Sequence, residues 1–161
     1  MLSPFLPAPR VAGWAGPPPA RTGPAPAPQP RAACSVTLPG EPRSGRPARA
    51  AVRAALCAQA LDPLVPAAVQ VTGELLAAAC HLGPGREVHL ALRCRDGELD
   101  LVVRDGGPPG DPRRRSLLRV LDAVVRECGG RWGSGAAREP GGGTRTWAVL
   151  PRPGAAAYGR P

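Results

Sequence analysis

Two alternating apolar segments joined by Asp96-Gly97 constrain this chain more than any other feature. From Glu87 to Arg95, Val88, Leu90, Leu92 and Cys94 fall on one side of an extended chain, with His89 and Arg93 on the other. From Glu98 to Arg104, Leu99, Leu101 and Val103 repeat the pattern. A period of two is that of a half-buried strand, and Asp-Gly is a two-residue hairpin signal. The spacing predicts an antiparallel hairpin with one face on a core, so another layer must cover that face.

Helical periods supply that layer. Gly45 to Gln59 sets Val52, Ala55 and Leu56 on one stripe and Arg46, Arg49 and Arg53 opposite. A second helix follows Asp62-Pro63, or starts at Pro66, because a missing N–H costs nothing in the first turn. Its stripe is Val65, Val69, Leu76 and Cys80, and Gly83-Pro84-Gly85 ends it. After a Pro/Gly loop over 106–112, Leu117, Leu118, Leu121, Val124 and Val125 carry a third helix to Cys128-Gly129-Gly130. Cys34 to Leu38 reads as a first strand. Arg131-Trp132 and Thr144 to Leu150 read as the last, separated by a Gly-rich turn through 133–143. This order predicts an α+β fold: one mixed, largely antiparallel sheet with three helices on one face, a two-layer α/β sandwich.

The 161 residues suffice for one domain. Residues 1–32 form a Pro/Ala-rich arm with too few large apolar groups to offset the entropy of ordering, and are expected to be disordered. Residues 152–161 repeat that composition and are expected to be a disordered tail, which leaves 33–151 as the folded domain. Lys, Ile and Asn are absent while Arg, Ala, Gly and Pro dominate, the bias of a GC-rich genome. The net charge of +9 suits solvated arginines better than a nucleic-acid surface, because aromatic residues are only 3% of the chain and leave little with which to stack bases.

The five cysteines are odd in number and lack any Cys-x-x-Cys pair, so they read as reduced, buried hydrophobes in a reducing compartment. Zinc on Cys80, His81 and Cys94 is disfavoured, since adjacent helical residues diverge by about 100° and zinc wants converging ligands. Pro4, Pro7 and Pro9 interrupt any apolar run at the N-terminus, and no run reaches membrane-spanning length, so a cytoplasmic protein without membrane association is expected.

Three segments carry a resemblance: Gly73-Glu74-Leu75-Leu76-Ala77-Ala78-Ala79 within an apolar helical run, Val102-Val103-Arg104-Asp105-Gly106-Gly107 ending a strand, and Gly143-Thr144-Arg145-Thr146-Trp147 opening another. Their order and spacing resemble the small actinobacterial anti-sigma-type serine kinase domains. That family belongs to the histidine-kinase-like ATPase superfamily, shared with gyrase and the mismatch-repair ATPases. The resemblance implies the histidine-kinase-like ATPase (Bergerat) fold over 33–151 and a role for each residue. Glu74 would be the general base on the attacking hydroxyl or water. Asp105 would accept a hydrogen bond from the adenine amino group, Gly107 with Gly106 would let the backbone approach the ligand, and Thr144 would lie beside the same base.

Two parts depart from the family. The magnesium-binding asparagine one turn beyond the Glu is here Ala78, whose methyl cannot coordinate a hard cation, and Ala77, Ala79 and Cys80 offer no substitute. The lid should end in Gly-x-Gly-Leu, whose N–H groups cradle phosphates, but this chain has Arg114-Arg115-Ser116-Leu117. Arg113, Arg114 and Arg115 read as an exposed basic corner. The resemblance thus implies ATP as a weakened cofactor, magnesium without its ligand, and a regulatory protein that docks a sigma factor or an anti-anti-sigma protein; a homodimer is compatible with it. Two alternatives stay open: an active ATP-dependent serine/threonine kinase phosphorylating an anti-anti-sigma partner, and a basic nucleic-acid-binding or structural protein.

Overall fold

The hairpin forms as its alternation requires. In the computed structural model, which describes residues 32–161, β2 (Glu87–Arg95) and β3 (Glu98–Asp105) pair antiparallel, with Leu92 opposite Leu101 and Cys94 opposite Leu99. Asp96 and Gly97 both have positive φ, 50° and 80°, the geometry whose twist matches the strands it joins. Three further strands extend the sheet: β1 (Ala32–Pro39), β4 (Arg131–Ala136) and β5 (Thr144–Pro151). The order is β1-β2-β3-β5-β4 and every neighbouring pair is antiparallel, so the sheet expected to be mixed has no parallel pair among the described residues. The arm expected at 1–32 lies outside the described residues except for Ala32, which opens β1.

The helices cover one face, giving two layers. α1 (Gly45–Cys57) and α2 (Val65–Leu82) are each preceded by a short 3-10 turn, Pro42–Ser44 and Asp62–Leu64. α2 lies against the sheet with α1 on one flank and later helices on the other. Flanked in this way, it buries far more than a stripe. Ala67, Ala68, Val71, Thr72, Leu75 and Ala79 are buried along with Val65, Leu76 and Cys80, whereas Val69, expected in the core, is half-buried. The Thr72 hydroxyl is satisfied by donating to the Ala68 carbonyl at 2.7 Å. The stretch Asp62–Leu82 is long and apolar enough to cross a membrane by length and composition, but 61% of its most apolar 18-residue window is buried within this fold. Leu90, Leu92, Leu99, Leu101 and Leu150 meet it from the sheet and are fully buried, each worth about 1.5–3 kcal/mol.

Three expectations fail in this half of the chain. The single third helix is two, α3 (Pro112–Leu117) and α4 (Arg119–Glu127), broken at Leu118 where φ and ψ leave helical values (−96°, 21°). Leu117, adjacent to the fully buried Leu118 and so about 100° away from it around the helix, is exposed and not in the core. Strand β4 runs on to Ala136, shortening the Gly-rich turn. Finally, the tail expected to be disordered folds as α5 (Arg152–Ala157). Its Ala155 is fully buried and Tyr158 packs on the core, while the Arg152 N–H donates to the Gly97 carbonyl at 2.8 Å and ties the tail to the hairpin turn. Alanines lack the bulk that composition rules reward, yet they fit closely against a surface other elements have built.

Candidate functional site

Strand parity places a carboxylate in the core. Leu99, Leu101 and Val103 face inward, so Asp105, two residues further along β3, must also face the helices. Its register partner is Thr144, the first residue of β5, and Thr146 faces inward two residues on. All three are buried, which demands hydrogen-bond partners for each. Asp105 Oδ1 accepts from the Gly107 N–H at 2.8 Å, and Thr144 Oγ1 donates to the Gly107 carbonyl at 3.0 Å. The fold therefore brings together Asp105, Gly107 and Thr144. Gly107 must be glycine: a Cβ there would stand 2.7 Å from Asp105 Oδ1 and 3.2 Å from the Leu82 carbonyl.

The remaining partner is Arg114. Its Nη1 donates to Asp105 Oδ2 at 2.8 Å and its Nη2 to Oδ1 at 2.9 Å, a two-pronged, charge-assisted pair. Nη1 also reaches Thr146 Oγ1 at 3.3 Å. The Arg114 side chain is 4% exposed and that of Asp105 is 0%. The expectation of an exposed basic corner is thus corrected for Arg114, though Arg113 and Arg115 are exposed as expected. Asp111 fixes the phase by capping α3, accepting the Arg113 N–H at 2.9 Å, with Pro112 in the first turn. Arg114 then sits one turn before the fully buried Leu118, and its side chain enters the core beside it. An Asp-Pro helix start with Leu four residues after an Arg was the available signal, and it is missed when the helix is begun at Leu117.

Glu74 stands apart from this cluster. It is half-exposed on α2 and accepts from Gln70 Nε2 at 2.8 Å within its own helix. Its charge is felt by Tyr158, whose hydroxyl is pushed above the ordinary range chiefly by burial, with Glu127, Cys128 and Glu74 adding. The α2 residue that feels Asp105 is instead Cys80. Burial raises its thiol first, then the charges of Asp105 and Glu41, and its Sγ donates to the Glu41 carbonyl at 3.5 Å. Six residues separate Glu74 and Cys80, about 9 Å along a helix and about 240° around it. No hydrogen bond or ion pair among the described residues joins Glu74 to Asp105. Ala78, on the Glu74 side one turn on, is buried, and among the described residues no group of three or more His, Cys, Asp or Glu converges on a metal position.

No family model matches the chain, and no curated protein matches it at a significant level.

The chemistry open to this cluster follows from its occupancy by the protein's own groups. Both oxygens of Asp105 accept from Arg114, and Oδ1 accepts from Gly107 as well. The Asp105 side chain is 0% exposed and three of its roughly four acceptor positions are taken, so a ligand amino group reaches it only if the side chains that bury it, Arg114 among them, move aside. Displacement would leave a buried cation without its counter-charge, at a cost of about 3–5 kcal/mol. The residues present do not fit magnesium at Ala78, and they do not fit an adenine at Asp105 while Arg114 is in place.

Proposed function

We propose that this chain is a regulatory protein on a histidine-kinase-like ATPase scaffold that acts by docking a protein partner and not by phosphoryl transfer. The observation that carries the reading is the buried Asp105–Arg114 pair. The carboxylate that the resemblance assigns to the adenine amino group is held instead by a planar donor fork from the chain itself. A base competing for it gives up about 3–5 kcal/mol, a factor of about 10² to several 10³ in affinity. The methyl of Ala78 in place of a metal ligand supports the same reading. The antiparallel sheet covered on one face by helices with α2 central is compatible with that scaffold. The partner proposed is a sigma factor or an anti-anti-sigma protein, bound by surface complementarity.

Calorimetric titration with magnesium-ATP, with inorganic tripolyphosphate as the base-free control, tests this. The expected result is no micromolar binding beyond that of the control. Base-dependent binding should emerge when Arg114→Gly is combined with Ser116→Gly and Ala78→Asn. Stoichiometric, magnesium-dependent micromolar binding by the natural sequence would overturn the proposal in favour of an active kinase.

A further inference from the structure

The segment that buries Arg114 also walls a separate cleft of about 880 Å³, between α3–α4 and the edge strand β4. Arg114, Arg115, Arg119, Asp122, Arg131 and Trp132 contribute to its lining. Most charges in this wall are already matched. Asp111 pairs with Arg113 at 2.8 Å, Asp122 pairs with Arg126 at 2.8 Å and accepts from Trp132 Nε1 at 2.9 Å, and Arg131 pairs with Glu98 at 3.0 Å. Arg115 and Arg119 have no ion pair among the described residues. They leave two uncompensated positive charges on one rim of the cleft, four residues apart across the α3–α4 break.

Arg114 adds a second, independent observation. Its three hydrogen bonds to Asp105 and Thr146 use the Nη end of the guanidinium. The other edge, the Nε–H and the adjacent Nη2 N–H, remains, and Nε is buried with no hydrogen-bond partner among the described residues. A buried N–H left unmade costs about 1–3 kcal/mol, so an acceptor that reaches it gains that amount back. A guanidinium edge of this kind matches two oxygens of one anion.

We propose that this cleft binds a phosphoryl dianion, with Arg115 and Arg119 supplying the charge and the inner edge of Arg114 the buried donor. A single carboxylate would neutralise one of the two unpaired arginines, whereas a phosphate monoester at neutral pH carries close to two charges and three acceptor oxygens. Because Arg115 and Arg119 are exposed, binding weakens with added salt. The site shares Arg114 and Arg115 with the lid positions of the nucleotide reading, but its test uses ligands without a base and so is separable from that reading.

The test is heteronuclear NMR on the full chain, titrated with inorganic phosphate, with O-phosphoserine and with acetate. The expected result is saturable movement of the Arg114 Nε–H, the Trp132 indole N–H and the Ser134 amide with both phosphoryl ligands and not with acetate. Arg115→Ala with Arg119→Ala should weaken binding by about tenfold or more. Arg46→Ala with Arg53→Ala, which removes two exposed arginines of α1, should leave it unchanged. Tighter binding of O-phosphoserine than of phosphate would identify a phosphomonoester as the source, and equal binding would identify free phosphate. An Arg114 Nε–H that does not move, equal binding of acetate, or equal weakening by the α1 pair would overturn the proposal.

Discussion

Replacing Asp105 by Asn should destabilise the protein more than any surface substitution. The change keeps an acceptor for the Gly107 N–H but leaves the Arg114 guanidinium, 4% exposed, without its counter-charge. Removing one member of a buried pair costs about 3–5 kcal/mol. For a domain of this size each kcal/mol moves Tm by roughly 3–5 °C, so Tm should fall by roughly 10–25 °C. Arg114→Met should cost a similar amount near neutral pH by stranding the carboxylate. The double variant should lose only about 1–2 kcal/mol, an amide short of one partner, far less than the sum of the singles. Urea unfolding of all four proteins gives the cycle. Single losses below about 0.5 kcal/mol, or additive losses, would refute the buried pair and with it the argument that Arg114 blocks Asp105.

Asp100→Asn should stabilise the protein at neutral pH, because the Asp100 carboxyl is held above its ordinary value of 3.8 by burial first and by the nearby Glu98 second. A folded carboxyl with a raised value binds its proton more tightly than the unfolded chain does. Wild-type stability is therefore lost as the pH rises from 3.8 through the folded value, and the Asn advantage should vanish below about 3.8 in thermal melts across pH. Truncation after Pro151 should lower Tm, since it removes the buried Ala155 and the Tyr158 packed on the core; an unchanged Tm would show that α5 adds nothing to the fold.

Alternation and helical period, read along the chain, determined the hairpin, the face each of its residues buries and the presence of a helical layer. The alternation reads only as far as Arg104; that β3 runs one residue further, so that Asp105 shares the inward face of Leu99, Leu101 and Val103, came from the structure. The nearness of Asp105, Gly107 and Thr144 was implied by the resemblance alone, and the pairing of β3 with β5 that brings it about belongs to the tertiary structure. What tertiary structure alone decided was the fate of residues whose environment is made by distant segments. Arg114 is buried because Asp105 and Thr146, nine and 32 positions away, offer it acceptors, and local composition shows only a run of arginines. Ala155 is buried because α2 and the hairpin have already built a surface for it, and α2 is apolar nearly all round because elements remote in sequence pack on both flanks. Periodicity records which side of an element is apolar. It does not record how many sides will be covered, or whether a charged side chain will find the opposite charge that lets it follow its neighbours inside.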